Sequence, residues 1–121
     1  MDAILDTSII IDLFKGDRDL LEKLPKNFIY GISVVTLFEL HCGNLKEREE
    51  LFLEKMPKIS LEESSARLAG KIFRSLRKEG KIPKVKDLLI ASSAIANDLV
   101  VVTRDRDFEI FKSFGLKVEV L

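Results

Sequence analysis

Apolar and polar positions alternate between two periods along this chain, and the changes of period mark its elements. Ala3-Ile4-Leu5 is a short apolar run that stops at Asp6-Thr7-Ser8, and Ile10, Ile11, Leu13 and Phe14 then recur at helical spacing. This predicts a buried strand over 3–5 feeding a helix over 7–14. Lys15-Gly16-Asp17 reads as a stop and a fresh start, with Asp17 as N-cap of a second short helix. Leu20, Leu21 and Leu24 would form its inner face, and Pro25 ends it. Residues 28–34 are rich in β-formers and predict a second strand; Thr36–Cys42 follows as a helix closed by Gly43-Asn44.

The stretch 47–56 is charged on one side, carries Leu51, Phe52 and Met56 on the other, and stops at Pro57. Lys58–Leu61 predicts a short strand. Ala66, Leu68, Ala69, Ile72, Phe73 and Leu76 then mark the longest helix, over 62–79, ended by Gly80. A loop over 81–86 leads to a helix over 87–96 that is apolar or small nearly all round, so it should be buried, and Asn97-Asp98 supplies its exit. Leu99–Val102 has no alternation, as expected of a central strand covered on both faces. A last short helix turns Phe108, Ile110, Phe111 and Phe114 inward and ends at Gly115, and Lys117–Val120 alternates like an edge strand. Strand and helix alternate throughout, which implies an α/β fold with a mostly parallel sheet and helices on both faces.

Composition narrows the class. A length of 121 residues fits a single domain, 1–121, with one proper core. No apolar run approaches membrane-spanning length, and the N-terminus lacks the pattern of a signal peptide. A single cysteine, Cys42, excludes an internal disulfide and any multi-cysteine zinc site. These features fit the cytoplasm. Lys+Arg and Asp+Glu balance at 20 each. Any nucleic-acid role must therefore rest on local basic patches, and neutrality offers little repulsion against self-association.

Four acids stand where a strand, or a loop after one, meets a helix: Asp6, Glu39, Asp87 and Asp105. Each has an ordinary explanation. Asp6 or Ser8 can cap the first helix, and Thr36-Leu37-Phe38-Glu39 matches a capping box. Asp87 suits the positive end of a helix, and Asp105 or Asp107 can cap the last one. Together they read differently. In a parallel sheet the seams at Asp6, Glu39 and Asp105 fall on one carboxyl edge, where open α/β sheets bind ligands. Carboxylates gathered there repel one another unless a cation or shared protons offset them. Oxygen-only ligation suits Mg²⁺ or Mn²⁺, and the chain has too few His and Cys for zinc.

The ordered set Leu5-Asp6-Thr7-Ser8, Ser33-Val34-Val35-Thr36-Leu37-Phe38-Glu39-Leu40 with Gly43, Asp87-Leu88-Leu89-Ile90-Ala91, and Val102-Thr103-Arg104-Asp105-Arg106-Asp107-Phe108 closely resembles PIN-domain proteins, and among them the VapC-type ribonuclease toxins of prokaryotic toxin–antitoxin pairs. The resemblance covers nearly the whole chain. It implies a Rossmann-like sheet of order 3-2-1-4-5 and a carboxylate cluster, Asp6, Glu39, Asp87 and Asp105, binding Mg²⁺ or Mn²⁺. Many relatives carry Asn at the position of Asp105 and the acid further along, so Asp107 competes for the fourth place. Thr7 and Thr103 would be supporting polar groups. Expected partners are an RNA substrate, a small VapB-like antitoxin whose tail enters the active-site groove, and a second copy in a homodimer. Asp6 and Asp87 are the first choice for direct ligands, with Asp105 completing the shell and Glu39 reaching a water or acting as base. At least one Asp of the free cluster should have a raised pKa.

Other residues invite weaker readings. His41 is expected to be structural, and Cys42 a small core residue. Arg104, with Arg106, flanks Asp105 and either contacts phosphate or pairs with Asp105 and Asp107. Arg74, Arg77, Lys78, Lys81, Lys84 and Lys86 form the densest basic stretch, which leads straight to Asp87 and reads as an RNA approach or a solvated helix end. A phosphoacceptor domain would need paired acids after the first strand, and a haloacid-dehalogenase-like phosphatase a second acid at position 8. Thr7-Ser8 argues against both. An RNA-processing PIN nuclease without antitoxin, or an inactive PIN-like binding module, remains the alternative.

Overall fold

A computed structural model describes residues 1–121. Five parallel strands, β1 (Ala3–Leu5), β2 (Tyr30–Ser33), β3 (Lys58–Ile59), β4 (Val100–Thr103) and β5 (Lys117–Val120), lie in the order β3-β2-β1-β4-β5. This is the expected order 3-2-1-4-5. Its cause is legible in burial: β1 is buried along its whole length and takes the centre, whereas β5 alternates and takes an edge. Register pairs Leu5 with Val102, so β1 and β4 end side by side.

Side-chain alternation in β1 and β4 divides the core in two. Ile4 and Val101 point to one face, packed by α5 (Glu63–Lys78), α6 (Val85–Ala96) and a 3₁₀ helix (Arg106–Phe114). Ala3, Leu5 and Val102 point to the other, against α1 (Thr7–Phe14), α2 (Arg18–Lys23) and α4 (Glu47–Lys55). α3 (Val34–His41) contributes Val35 to the first cluster and Leu40 to the second. α6 is buried at Leu88 and from Ile90 to Ala94, as its composition requires.

Several local expectations are corrected. β2 spans Tyr30–Ser33 rather than 28–34, and α3 starts at Val34, two residues before Thr36. Ser33 is its cap, accepting a hydrogen bond from Val35 N at 3.0 Å. Thr36 is fully buried in the first turns with its hydroxyl unpartnered, so the capping box to Glu39 does not form. On α4 the buried apolar residue is Leu53, while Leu51 and Phe52 are exposed; on α2, Leu20 is buried and Leu21 exposed. β3 is two residues long, and β4 is shifted by one to include Thr103. α6 opens at Val85, which puts Asp87 inside its first turn. Cys42 is exposed at the end of α3, not in the core. The last helix is 3₁₀, in which residues three apart eclipse, so Phe108 and Phe111 share one buried side and meet edge to face.

Candidate active site

The end of β1 delivers Asp6 into a nearly closed position, 4% exposed. Asp6 is indeed the N-cap of α1, taking a weak 3.4 Å bond from Ser8 N. Shorter bonds fix the same oxygen: Ser8 Oγ and Thr103 Oγ1 each donate to Oδ2 at 2.8 Å. No side-chain donor reaches Oδ1. Burial pushes the Asp6 carboxyl above its ordinary pKa, and the Ser8 and Thr103 hydroxyls temper that rise.

Thr103, fully buried at the end of β4, also accepts a hydrogen bond from Asp105 N at 2.9 Å. Asp105 in turn caps the 3₁₀ helix, its Oδ1 accepting from Asp107 N at 2.9 Å. On α3, Glu39 accepts from Thr7 Oγ1 at 2.9 Å and pairs with Lys86 Nζ at 3.1 Å. Thr7 thus bonds one acid, Glu39, and Thr103 bonds two, the carboxylate of Asp6 and the backbone amide of Asp105. Ser8 carries more than its sequence reading as a cap: its Oγ binds Asp6 and also accepts from Arg104 N at 3.1 Å. Its place two residues after Asp6 is the only local signal of that link.

Asp87 brings the set together. Its pKa is pushed up to about 6, first by burial, then by the negative charges of Asp6 and Asp105 and more weakly of Glu39, against the pull of Lys84. All four acids thus share one carboxyl edge and one electrostatic environment. Between the competitors for the fourth place, Asp105 has a side chain 34% exposed and acts on Asp87, whereas Asp107 is 67% exposed and stands at the rim, tied through Lys84. No three acidic, His or Cys side chains are drawn together into a ready-made ion cage.

The basic residues sort themselves by geometry. Lys84 Nζ lies 3.6 Å from Asp105 Oδ2 and 3.4 Å from Asp107 Oδ2. Arg104 pairs with neither of those acids; its guanidinium is held by Asp12 and Asp17, each at 3.2 Å, and so braces α1 and the turn into α2. That geometry gives no support to a phosphate contact. Arg106 pairs with Glu109, and Arg77 lies over the Phe73 ring. His41 donates through Nδ1 to the Leu37 carbonyl at 2.9 Å and faces Glu50, which is the expected structural role. Beside Asp87 opens a cleft of about 510 Å³ whose walls include Lys81, Lys84, Arg106, Asp107 and Phe111.

A parallel sheet of this order with acids ending β1 and β4 and on the helices beside them defines the chain: it belongs to the PIN-domain family, whose model matches residues 3–112. Within that family it is 50% identical over 92 residues to Ribonuclease VapC3 of Methanocaldococcus jannaschii, covering 76% of this chain and 97% of that protein. It is 33% identical over 120 residues to Ribonuclease VapC1 of the same organism, covering 95% and 85%. Among solved structures, a chain of VapBC2 from Rickettsia felis bound to a promoter DNA fragment superposes with a TM-score of 0.80 at 29% identity, covering 100% of this chain and 99% of that one. A chain of DNA-bound VapBC from Salmonella typhimurium gives 0.82 at 27% identity, covering 99% and 98%.

Proposed function

We propose that this protein is a Mg²⁺- or Mn²⁺-dependent endoribonuclease of the VapC type, the toxin of a pair completed by a VapB-like antitoxin. The observation that carries this reading is that Asp87, half-buried on the carboxyl edge, lies within the field of Asp6, Asp105 and Glu39, so that burial first and these charges second push its carboxyl up to about 6. The donor set fits a hard divalent cation: all its atoms are carboxylate oxygens, and Asp6 Oδ1 has no side-chain donor. Asp6 and Asp87 would hold the ion, with Asp105 completing the set. When bound, such an ion stabilises charge on a phosphodiester and makes water a better nucleophile.

The chain's own residues supply positioning. Ser8 and Thr103 fix one Asp6 oxygen and so orient the other. Thr7 holds Glu39 Oε1, leaving Oε2 to take the proton of an attacking water once Lys86 yields it. Lys81 and Arg106, on the cleft wall, offer cations to RNA phosphates.

The named relatives support RNA as substrate and the solved complexes support an antitoxin partner. An apolar groove of about 540 Å³ between α1, α2 and α4, lined by Leu13, Leu21, Phe52 and Met56 among others, leaves surface for a partner protein to cover. Phe38, 62% exposed on α3, supports pairing with a second copy. No helix is long and apolar enough to cross a membrane, and we place the protein in the cytoplasm.

The test is cleavage of labelled structured and single-stranded RNAs with Mg²⁺ or Mn²⁺, with chelator, and by Asp6→Asn and Asp87→Asn proteins. Metal-dependent cleavage lost in both variants is the expected result. Cleavage that survives in both would place the activity elsewhere.

A further inference from the structure

Lys84 and Lys86 contradict the electrostatics of their own helix. Lys84 is the N-cap of α6 and Lys86 lies in its first turn, where the helix dipole disfavours cations. Neither position is forced by packing, since both side chains are more than half exposed. What both ammonium groups have in common is their destination. Just ahead of Asp87 in the chain, Lys86 reaches Glu39 Oε2 at 3.1 Å and Lys84 reaches Asp105 and Asp107 at 3.6 and 3.4 Å.

We propose that Lys84 and Lys86 are tethered counter-cations that neutralise the carboxylate cluster when it is metal-free, and that a divalent ion must compete with them to bind. This rests on the metal-dependent reading given above. It assigns the two lysines a role different from gripping RNA: they set how much free metal the protein needs. The arrangement explains why four acids stay folded on one edge although no ion cage is preformed. It also accounts for two cations at a helix start, where ion pairs with Glu39 and Asp105 offset the unfavourable dipole. Because the lysines are exposed and flexible, they can swing away as the ion enters, which a buried arginine could not do as readily.

The test is a Mn²⁺ titration by calorimetry, without RNA, of the wild type, Lys84→Met, Lys86→Met and a charge-matched control, Lys71→Met on the outer surface of α5. Thermal melts in chelator accompany it. Removing a unit positive charge a few ångströms from a divalent ion should tighten Mn²⁺ binding by roughly tenfold at moderate salt. Lys84→Met and Lys86→Met should both show this, with lower metal-free Tm, while Lys71→Met matches the wild type. Affinity unchanged or weakened in both variants overturns the inference and returns the lysines to RNA contact. A wild type that binds no Mn²⁺, with Asp87→Asn indistinguishable from it, overturns the metal reading itself.

Discussion

The Thr103 hydroxyl donates to Asp6 Oδ2 at 2.8 Å across a sequence separation of 97 residues. Thr103 Oγ1 also accepts from Asp105 N at 2.9 Å, so one buried threonine orients two acids of the site. Thr103→Val keeps the shape but removes both bonds, leaving a buried carboxylate and an amide short of a partner. The expected loss is about 1–3 kcal/mol of stability, with cleavage down by roughly 10–100-fold, the range for residues that orient metal ligands. Thr103→Ser should recover most of both. Melting curves and RNA cleavage rates check this, and a Thr103→Val protein with wild-type behaviour would refute it.

Asp87 makes metal-free stability depend on pH in an unusual direction. Its folded pKa of about 6 lies above the ordinary 3.8, so the native state binds the proton more tightly than the unfolded chain. Its contribution is therefore favourable at low pH and is lost as pH rises through about 6. Asp87→Asn should raise the Tm in chelator at pH 8 by several degrees and change it little near pH 4. The wild type should gain the most from added Mn²⁺ at pH 8. A stability difference independent of pH would show that burial and neighbouring charges do not raise the Asp87 carboxyl.

Arg104 is expected to matter for folding rather than for substrate. Arg104→Leu frees Asp12 and Asp17 of their shared cation and should cost about 1 kcal/mol, since the pairs are only partly buried. The KM for RNA and the affinity for Mn²⁺ should stay within about twofold of wild type, well under the tenfold that 1.4 kcal/mol represents. A raised KM with unchanged Tm would instead make Arg104 a phosphate contact.

Gly31 sits on β2 where a Cβ would come within 2.7 Å of the Pro57 carbonyl oxygen and 2.5 Å of the Met1 side chain. Met1 can move; the Pro57 backbone beside β3 cannot without shifting that strand. Gly31→Ala should therefore destabilise by about 1–3 kcal/mol, read as a lower urea midpoint, with the site's metal affinity intact.

The sequence by itself determined the sheet and the edge on which the acids gather. Uninterrupted apolar runs at 3–5 and 99–102 identify central strands because burial on both faces leaves no room for polar alternation, and alternating 117–120 identifies an edge. With parallel connections, acids just after strands must share the carboxyl edge, so Asp6 and Asp105 were legible as a pair. Local caps were legible where the side chain bonds its own neighbours: Asp17 to Leu20 N, and Asp6 to Ser8 N.

Only the tertiary structure decided what each side chain does with its remaining atoms. Thr36 read as the helix start and Ser33 as part of the strand, but the helix begins at Val34 with Ser33 as its cap, and Val35 and Thr36 are buried. Freed from the capping box, Glu39 turned to Thr7 and Lys86, which lie 32 and 47 positions away. Arg104 neighbours Asp105 in sequence yet points to Asp12 and Asp17, because successive residues leaving a strand face opposite ways. Asp105 and Asp107 both lie within reach of Lys84, and only the folded turn after β4 makes Asp105, the less exposed of the two, the one whose charge acts on Asp87. Periodicity fixes which face a residue occupies, but hydrogen bonds and ion pairs between distant segments depend on distances that only the packed sheet and helices define.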